Sequence, residues 1–343
     1  MRYIFPTPAL HHRIKWVALL ITSLLSLAAM PQETSVITGK DGWLFTRYEF
    51  ATPADVPDTQ ATLNLLVKTN QLLAQKNIAL ALVIVPSKIR VNPDQLPDPM
   101  VLDPYTAGKY AAAADALQAA GVHVVRLDTA FLSSPHRTSD TPLFLHLDTH
   151  WSPRGSLLAA ETIQRGLDDS PRLKAVLATI PEEKFTLAWA DHKISVRTRD
   201  LVKLLPPNAR KYAAEQVLHF KVSRVSASTA TLLSGADTTL ITAIGSSYSD
   251  KITGYPDALR YALQRNVLDI SIPVDQGPWV GMLNYLQDEA FKTSPPALII
   301  WEIPERELRS PPNYKFRDRR YILDNNAWLA QVTQLLAAHP NAR

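Results

Sequence analysis

The run Thr239-Leu240-Ile241-Thr242-Ala243-Ile244-Gly245-Ser246-Ser247-Tyr248-Ser249 carries a short apolar stretch straight into a turn of small, hydroxylated residues. A stretch of that length and character fits a buried strand. The same signature recurs at Ile78–Val85, which ends at Pro86, more briefly at Val122–Leu127 and Asn266–Ile270, and again at Ala297–Ile303. Strands that are apolar without alternation are buried on both faces, as in parallel sheets covered by helices. Helical patterns lie between them. Residues 58–75 place Leu63, Leu66, Val67 and Leu73 on one stripe, and Tyr105–Ala120 is alanine-rich and closed by Gly121. Ser152 and Pro153 are an N-cap and a first-turn proline ahead of Leu157, Ala160, Ile163 and Leu167. Further helices are expected after Pro256, near Met282–Phe291 and from Asn326. This alternation predicts an α/β fold with a parallel sheet and helical crossovers. From about 168 to 235 the rhythm is lost. Short β-like runs (Phe185–Trp189, Val217–Val222) and Pro206-Pro207 suggest a β-rich insertion there.

Leu147-Asp148-Thr149-His150-Trp151 sets a carboxylate two residues before an imidazole, just ahead of the Ser152 cap. In an extended segment, residues i and i+2 point to the same side, so the two groups can share a site. Asp148 can then accept a hydrogen bond from one ring nitrogen while the other receives a hydroxyl proton. A serine in a tight turn after a buried strand is lifted clear of the sheet, beside backbone N–H groups able to bind an oxyanion. Ser247 is the candidate nucleophile, with Ser246 and Ser249 as local rivals. Each piece has a plainer reading, a loop-capping Asp beside a surface His, or an ordinary serine turn. Gly-Ser-Ser-Tyr-Ser lacks the second glycine of the Gly-x-Ser-x-Gly elbow, and the order Asp…His…Ser is not that of α/β-hydrolases.

The chain has 343 residues, 46% hydrophobic and 20% charged, enough for one large α/β domain. Arg2, His11, His12, Arg13 and Lys15 precede an uncharged run from Trp16 to Gln32, with small residues at Ser26, Ala28 and Ala29. Residues 1–32 are therefore expected to be a signal peptide or an N-terminal membrane anchor, with residues 33–343 exported. The first thirty residues carry three cations and no acid, so the formal +4 falls to +1 without them. A near-neutral domain gives a nucleic-acid partner no electrostatic support. With no cysteine, thiol nucleophiles, thiolate zinc sites and iron–sulfur clusters are excluded. No metal cluster stands out, since His11-His12 lies in the basic leader and Asp191-His192 has no evident partners.

Asp-Thr-His-Trp before a helix, followed by strand-Gly-Ser-Ser-Tyr-Ser, resembles the AlgJ/AlgX-type alginate O-acetyltransferases. Gly39-Lys40-Asp41-Gly42-Trp43-Leu44-Phe45 matches that family's N-terminal signature. Val85-Pro86-Ser87-Lys88, Arg199-Asp200-Leu201 and Trp301-Glu302-Ile303-Pro304-Glu305-Arg306 are further similar pieces, so the likeness spans roughly residues 37–310. The resemblance implies a periplasmic SGNH-hydrolase-like, flavodoxin-like three-layer domain, circularly permuted so that the Asp-His element precedes the serine block. It implies Ser247 as nucleophile, His150 as general base and Asp148 as its orienting carboxylate, in a ping-pong reaction with one oxyanion donor at or near the Ser247 N–H. It further implies an exported polysaccharide such as alginate as acceptor, a membrane O-acyltransferase as acetyl donor, contacts with export-complex proteins, and tethering to the inner membrane if the leader is retained. Neither cofactor nor metal is called for. About forty residues follow Arg306, too few for the added carbohydrate-binding module of AlgX-type members, so the single-domain AlgJ-like form is expected.

Arg306 and Lys88 each follow a buried strand where a sheet-end site would lie, and both are candidate substrate-binding residues. For Arg306 a salt bridge to Glu302 is an equal expectation. Trp43, Trp151 and Trp301 could stack on sugars, although packing is the default for tryptophan, and His123 is expected to be a strand residue without chemistry. Two rivals use the same residues differently: a secreted carbohydrate acetyl esterase, in which water resolves the acyl-enzyme, and a non-catalytic scaffold of an export complex.

Overall fold

Five strands build the centre of the molecule in the computed structural model, which describes residues 35–196, 198–225, 239–273 and 276–338. The leader, residues 1–32, lies outside the described residues, as does part of the insertion. The strands are β1 (Ala79–Val85), β2 (His123–Arg126), β3 (Ile241–Gly245), β4 (Leu268–Ser271) and β5 (Leu298–Pro304). They pair in the order β4-β3-β5-β1-β2, all parallel. β5, the last to form in sequence, is the middle strand. It runs beside β1 from Leu298↔Ala79 to Pro304↔Val85, and beside β3 from Leu298↔Ile241 to Trp301↔Ile244.

Every residue of β1 and β5 is buried, which is why these segments read as unbroken apolar runs. The period of two sends alternate side chains to opposite layers. Ala79, Ala81, Val83 and Ile300 pack with α3 (Pro153–Asp168) and α4 (Tyr255–Leu263). Leu80, Leu82, Ile84 and Ile299 pack with α1 (Val56–Ala74), α2 (Pro104–Ala119), α5 (Pro278–Gln287) and α6 (Asn325–Ala337). The result is a three-layer α/β sandwich. Ser152 caps α3, its Oγ accepting from the N–H groups of Arg154 and Gly155, with Pro153 at the first position.

Two features depart from the sequence reading, and a third gives form to a motif that the reading left without one. The helix expected near 282–291 is two helices, because the carboxylate of Asp288 caps a second one, Glu289–Thr293, at the N–H of Ala290. The Gly39–Phe45 signature is the turn and second strand of a hairpin, Val36–Thr38 against Leu44–Thr46. The insertion contains helices Pro171–Ala178 and Asp200–Lys203 as well as two antiparallel pairs, Phe185–Trp189 with Phe220–Arg224 and Ile194–Ser195 with Gln216–Val217. None of its described strands joins the central sheet. No helix among the described residues is long and apolar enough to cross a membrane.

The carboxyl ends of β1, β3 and β5 deliver Ser87-Lys88, Ser246-Ser247 and Glu305-Arg306 to one edge of the sheet. Open parallel sheets place their sites at that edge.

Candidate active site

The serine turn is short and strongly fixed. Ser247–Ser249 is a single 3-10 turn directly after β3, capped by Ser246, whose Oγ accepts from the Tyr248 N–H at 3.2 Å. Ser246 and Ser249 are buried, and both hydroxyls donate to Glu302 on β5. Of the three serines only Ser247 is partly exposed, and its Oγ lies 2.8 Å from His150 Nε2. The local rivals are thus committed elsewhere.

Asp148 and His150 meet, although not as an extended pair. They sit in a tight loop closed by a bridge between Phe144 and Trp151 and by the bond from Leu145 N–H to His150 C=O. The loop curls Asp148 back so that Oδ1 accepts from both His150 Nδ1 (2.5 Å) and the His150 N–H (3.1 Å). Oδ2 accepts from the Asp200 N–H at 2.9 Å. Burial pushes the Asp148 carboxyl up, but the hydrogen bond and charge of His150 and the backbone donors outweigh it, holding it down to about 2. It is therefore an anion that orients the imidazole and leaves Nε2 facing the serine.

The two motifs, about a hundred residues apart, are stitched together by their neighbours. Tyr248 OH donates to Thr149 C=O at 2.6 Å, and Trp151 Nε1 donates to Tyr248 C=O at 3.0 Å. Trp151 is fully buried, as is Trp301, and Trp43 nearly so, so all three tryptophans pack in the core and present no ring to a sugar.

Lys88 faces inward. It is 1% exposed, and its ammonium donates to the carbonyls of Leu44 (2.6 Å), His146 (2.9 Å) and Asp148 (3.0 Å). Burial lowers its pKa to about 8, partly offset by Glu49, Glu215, Asp148 and Asp200. All three of its donors are used on backbone, which leaves none for a substrate. Replacing Lys88 by methionine is expected to cost about 3 kcal/mol or more, because three buried carbonyls lose a charged donor. Thermal melting of the variant measures this, and an unchanged midpoint would show that the lysine holds nothing.

The insertion braces the same loop with two carboxylates that the sequence reading did not single out. Glu215 accepts from the N–H groups of His146 (2.8 Å) and Leu147 (3.3 Å). Asp200 accepts from Thr149 N–H (2.8 Å) and Oγ1 (2.5 Å). Only Arg199-Asp200-Leu201, quoted for its family likeness, hinted at this. Among the described residues, Asp148, His150 and Asp200 bring possible ligand atoms within 4.8 Å of one another. Those atoms already bond to one another and to Thr149 and Asp200 backbone or hydroxyl groups, so the cluster is a hydrogen-bonded relay and not a vacant cation cage.

A cleft of about 700 Å³ opens beside this loop, lined by Tyr48, Thr149, Asp200, Leu204, Arg306 and Phe316 among others. Arg306 does not pair with Glu302 as one sequence expectation had it. Its guanidinium lies over the Tyr248 ring at 5.5 Å, with long contacts to Tyr248 OH (3.5 Å) and Glu49 (3.9 Å). It thus keeps donor capacity toward the cleft. Chemically, the site offers an oriented base on a partly exposed hydroxyl beside an open cleft.

Known proteins are similar to this chain in sequence and in fold. The profile described as the SGNH hydrolase-like domain of acetyltransferase AlgX matches residues 36–305. The probable alginate O-acetylase AlgJ of Pseudomonas fluorescens is 30% identical over 309 residues, covering 87% of this chain and 73% of that protein. The solved O-acetyltransferase domain of Pseudomonas putida AlgJ superposes with a TM-score of 0.71 at 26% identity, over 88% of this chain and 99% of that one. Pseudomonas aeruginosa AlgX shares the fold, with a TM-score of 0.66 at 21% identity over 89% of this chain and 67% of that one.

Proposed function

Since the chain belongs to the family of SGNH hydrolase-like acetyltransferase domains typified by AlgX, we propose that it moves an acetyl group through an ester on Ser247 to a hydroxyl of an exported polysaccharide. The observation that carries this reading is the unbroken line from Asp148 through His150 to Ser247, at 2.5 and 2.8 Å. In the first half-reaction Ser247 Oγ attacks the acetyl carbonyl of a donor ester while His150 Nε2 takes its proton. The imidazolium, stabilised by Asp148, then returns the proton to the departing donor oxygen. In the second half a sugar hydroxyl gives its proton to Nε2 and attacks the acetyl-serine, and Ser247 leaves with that proton.

The oxyanion of each tetrahedral intermediate needs a donor near Ser247. The Ser246 N–H is taken by Glu302 and the Tyr248 N–H by Ser246 Oγ. The Ser247 N–H, at the first position of its turn, has no partner within that turn and is the backbone donor assigned this role. Arg306, on the cleft wall with unused donors, is assigned to an oxygen-rich part of the substrate.

The similar AlgJ proteins are named as alginate O-acetylases, which supports an alginate-like acceptor for this chain. The basic-then-apolar leader supports placement in the periplasm, retained at the inner membrane or released by cleavage. Acetyl-CoA is a cytoplasmic donor, so a membrane O-acyltransferase is the proposed source of the acetyl group. The test is intact-mass analysis after exposure to a chromogenic acetyl ester, with and without oligosaccharide. An acetyl adduct that disappears as acetylated sugar forms is the expected result. Decay only to free acetate, whatever glycan is added, would make the protein an esterase, and no adduct at all would leave a scaffold.

A further inference from the structure

Glu302 is an anomaly in β5. It is the one charged residue in a strand buried along its whole length, 1% exposed, between Trp301 and Ile303. A buried carboxylate needs compensating partners, and no cation lies within ion-pair distance of it among the described residues. Its partners are three donors from the serine turn. Oε2 accepts from the Ser246 N–H at 2.8 Å and from Ser249 Oγ at 3.0 Å, and Ser246 Oγ donates to the carboxylate at 3.0–3.1 Å. The chain of bonds then continues upward, since Ser246 Oγ accepts from the Tyr248 N–H. The residue between those two is Ser247.

Close approach makes this possible. A Cβ on Gly245 would lie 1.9 Å from Ser249 Oγ and 2.7 Å from Glu302 Oε2, so only glycine lets the turn fold down onto the neighbouring strand's carboxylate. The register agrees, because β5 pairs with β3 from Leu298↔Ile241 to Trp301↔Ile244 and so brings Glu302 level with Gly245, the last residue before the turn.

We propose that Glu302 is the positioning residue of the nucleophile: its carboxylate fixes Ser246 and Ser249 beneath Ser247 and thereby holds the Ser247 hydroxyl on His150. This rests on the acyl-enzyme reading above and adds a requirement to it, that Glu302 be ionised. As an anion it accepts all three donors. A protonated Glu302 would bring a fourth proton into the same ring, and one serine hydroxyl would lose its acceptor inside the core. The groups facing Glu302 make that proton reachable. Arg306 faces it from the 3-10 turn Glu305–Arg309 that follows β5, Tyr248 from the serine turn, and Tyr255, whose buried hydroxyl has no partner, from α4. Burial raises the Glu302 carboxyl to about 7 against the pull of the serine-turn bonds and Arg306.

The experiment compares the full chain with Glu302→Ala and Glu302→Gln. Three readouts are used: thermal melting, the acylation rate with p-nitrophenyl acetate as a function of pH, and a crystal structure of Glu302→Ala. Glutamine can keep its carbonyl oxygen at the Oε2 position, where it holds the Ser246 N–H and the Ser249 hydroxyl, but like the protonated acid it leaves the Ser246 hydroxyl short of an acceptor. Glu302→Ala should acylate on the order of 10²-fold more slowly, with KM for the ester unchanged, as expected when a nucleophile is displaced by about 1 Å. Glu302→Gln should recover part of that rate, because it keeps two of the three bonds. Below neutral pH the wild-type rate should fall towards that of Glu302→Gln as Glu302 takes up a proton, a step the glutamine variant cannot show. A Glu302→Ala protein that acylates at the wild-type rate, or a glutamine variant with the wild-type pH profile, would overturn the proposal. The crystal structure separates this failure from failure of the acyl-enzyme reading. A Ser247–His150 distance still at 2.8 Å in Glu302→Ala would refute the positioning role even in a protein that never acylates.

Discussion

Replacing Ser247 by alanine is expected to abolish acetyl transfer and ester hydrolysis together while leaving a folded protein. Ser247 Oγ makes one hydrogen bond, to His150 Nε2, from a partly exposed position, so its loss should change stability by only about 1 kcal/mol. Removing the nucleophile of an oriented Ser-His-Asp set costs on the order of 10⁶-fold in turnover elsewhere, and the residue left behind is what binding and the oxyanion site contribute alone. The neighbouring hydroxyls cannot substitute. Ser246 and Ser249 point down into the Glu302 carboxylate and are closed to a substrate. The acetyl adduct should therefore map to Ser247 in the wild-type protein and vanish in the variant. An adduct that persists in Ser247→Ala, or maps to another serine, would remove Ser247 from the reaction.

The contrast between Ser247 and Glu302 shows what the sequence makes legible. The sheet was readable because β1 and β5 are buried on both faces and have no polar alternation to hide them. That Asp148, His150 and Ser247 meet was foreseeable because the proposed chemistry requires recognisable types in recognisable places, an Asp-x-His before a helix cap and a serine after a strand. The supports were harder to read. Lys88, Asp200 and Glu215 act on backbone N–H and C=O groups 44 to 69 residues away, and a backbone group carries no residue identity. Nothing in one sequence marks which carboxylate a distant amide will find. The described strands of the insertion stay out of the sheet, yet it supplies two of the groups that hold the Asp148–His150 loop. Glu302 did leave a trace, a single charge inside an otherwise apolar strand. Such a charge must be compensated; the expected partner was Arg306, and the serine turn takes its place. The extended Asp148–His150 pairing failed for a related reason. Spacing i, i+2 is satisfied equally by a strand and by a loop in which the carboxylate folds back to cap its own neighbour's N–H.

Asp148→Asn should be nearly as damaging as loss of the serine, and the reason lies in the second oxygen. Oδ1 accepts from His150 Nδ1 and the His150 N–H, while Oδ2 accepts from the Asp200 N–H. An ionised carboxylate can accept on both sides, but an amide cannot. With its oxygen toward His150, the asparagine would set its NH₂ against the Asp200 N–H, two donors facing each other at a site with no exposure to water. Turned over, it satisfies Asp200 and donates to His150 Nδ1. That choice forces the tautomer with the proton on Nε2, so the imidazole meets Ser247 as a donor and has no lone pair for its proton. The second orientation costs the His150 N–H its acceptor, but it satisfies the Asp200 N–H and gives one amide proton an acceptor at Nδ1, so it strands fewer buried donors and should dominate. The expected loss is on the order of 10⁴-fold in kcat, as for a base held in the wrong tautomer, with the Ser247–His150 contact retained in the crystal. Nitrogen NMR of the ring should report the proton on Nε2. A loss of less than tenfold, with the proton still on Nδ1, would mean that the Asp200 amide does not constrain Asp148. Stability should respond in the opposite sense at low pH. The Asp148 carboxyl is held at about 2, below its ordinary value of 3.8, so it stabilises the folded chain above about pH 4 and that contribution is lost as the pH falls through 2. The asparagine variant lacks this term. Its melting temperature should therefore approach that of the wild-type protein as the pH is lowered through that window.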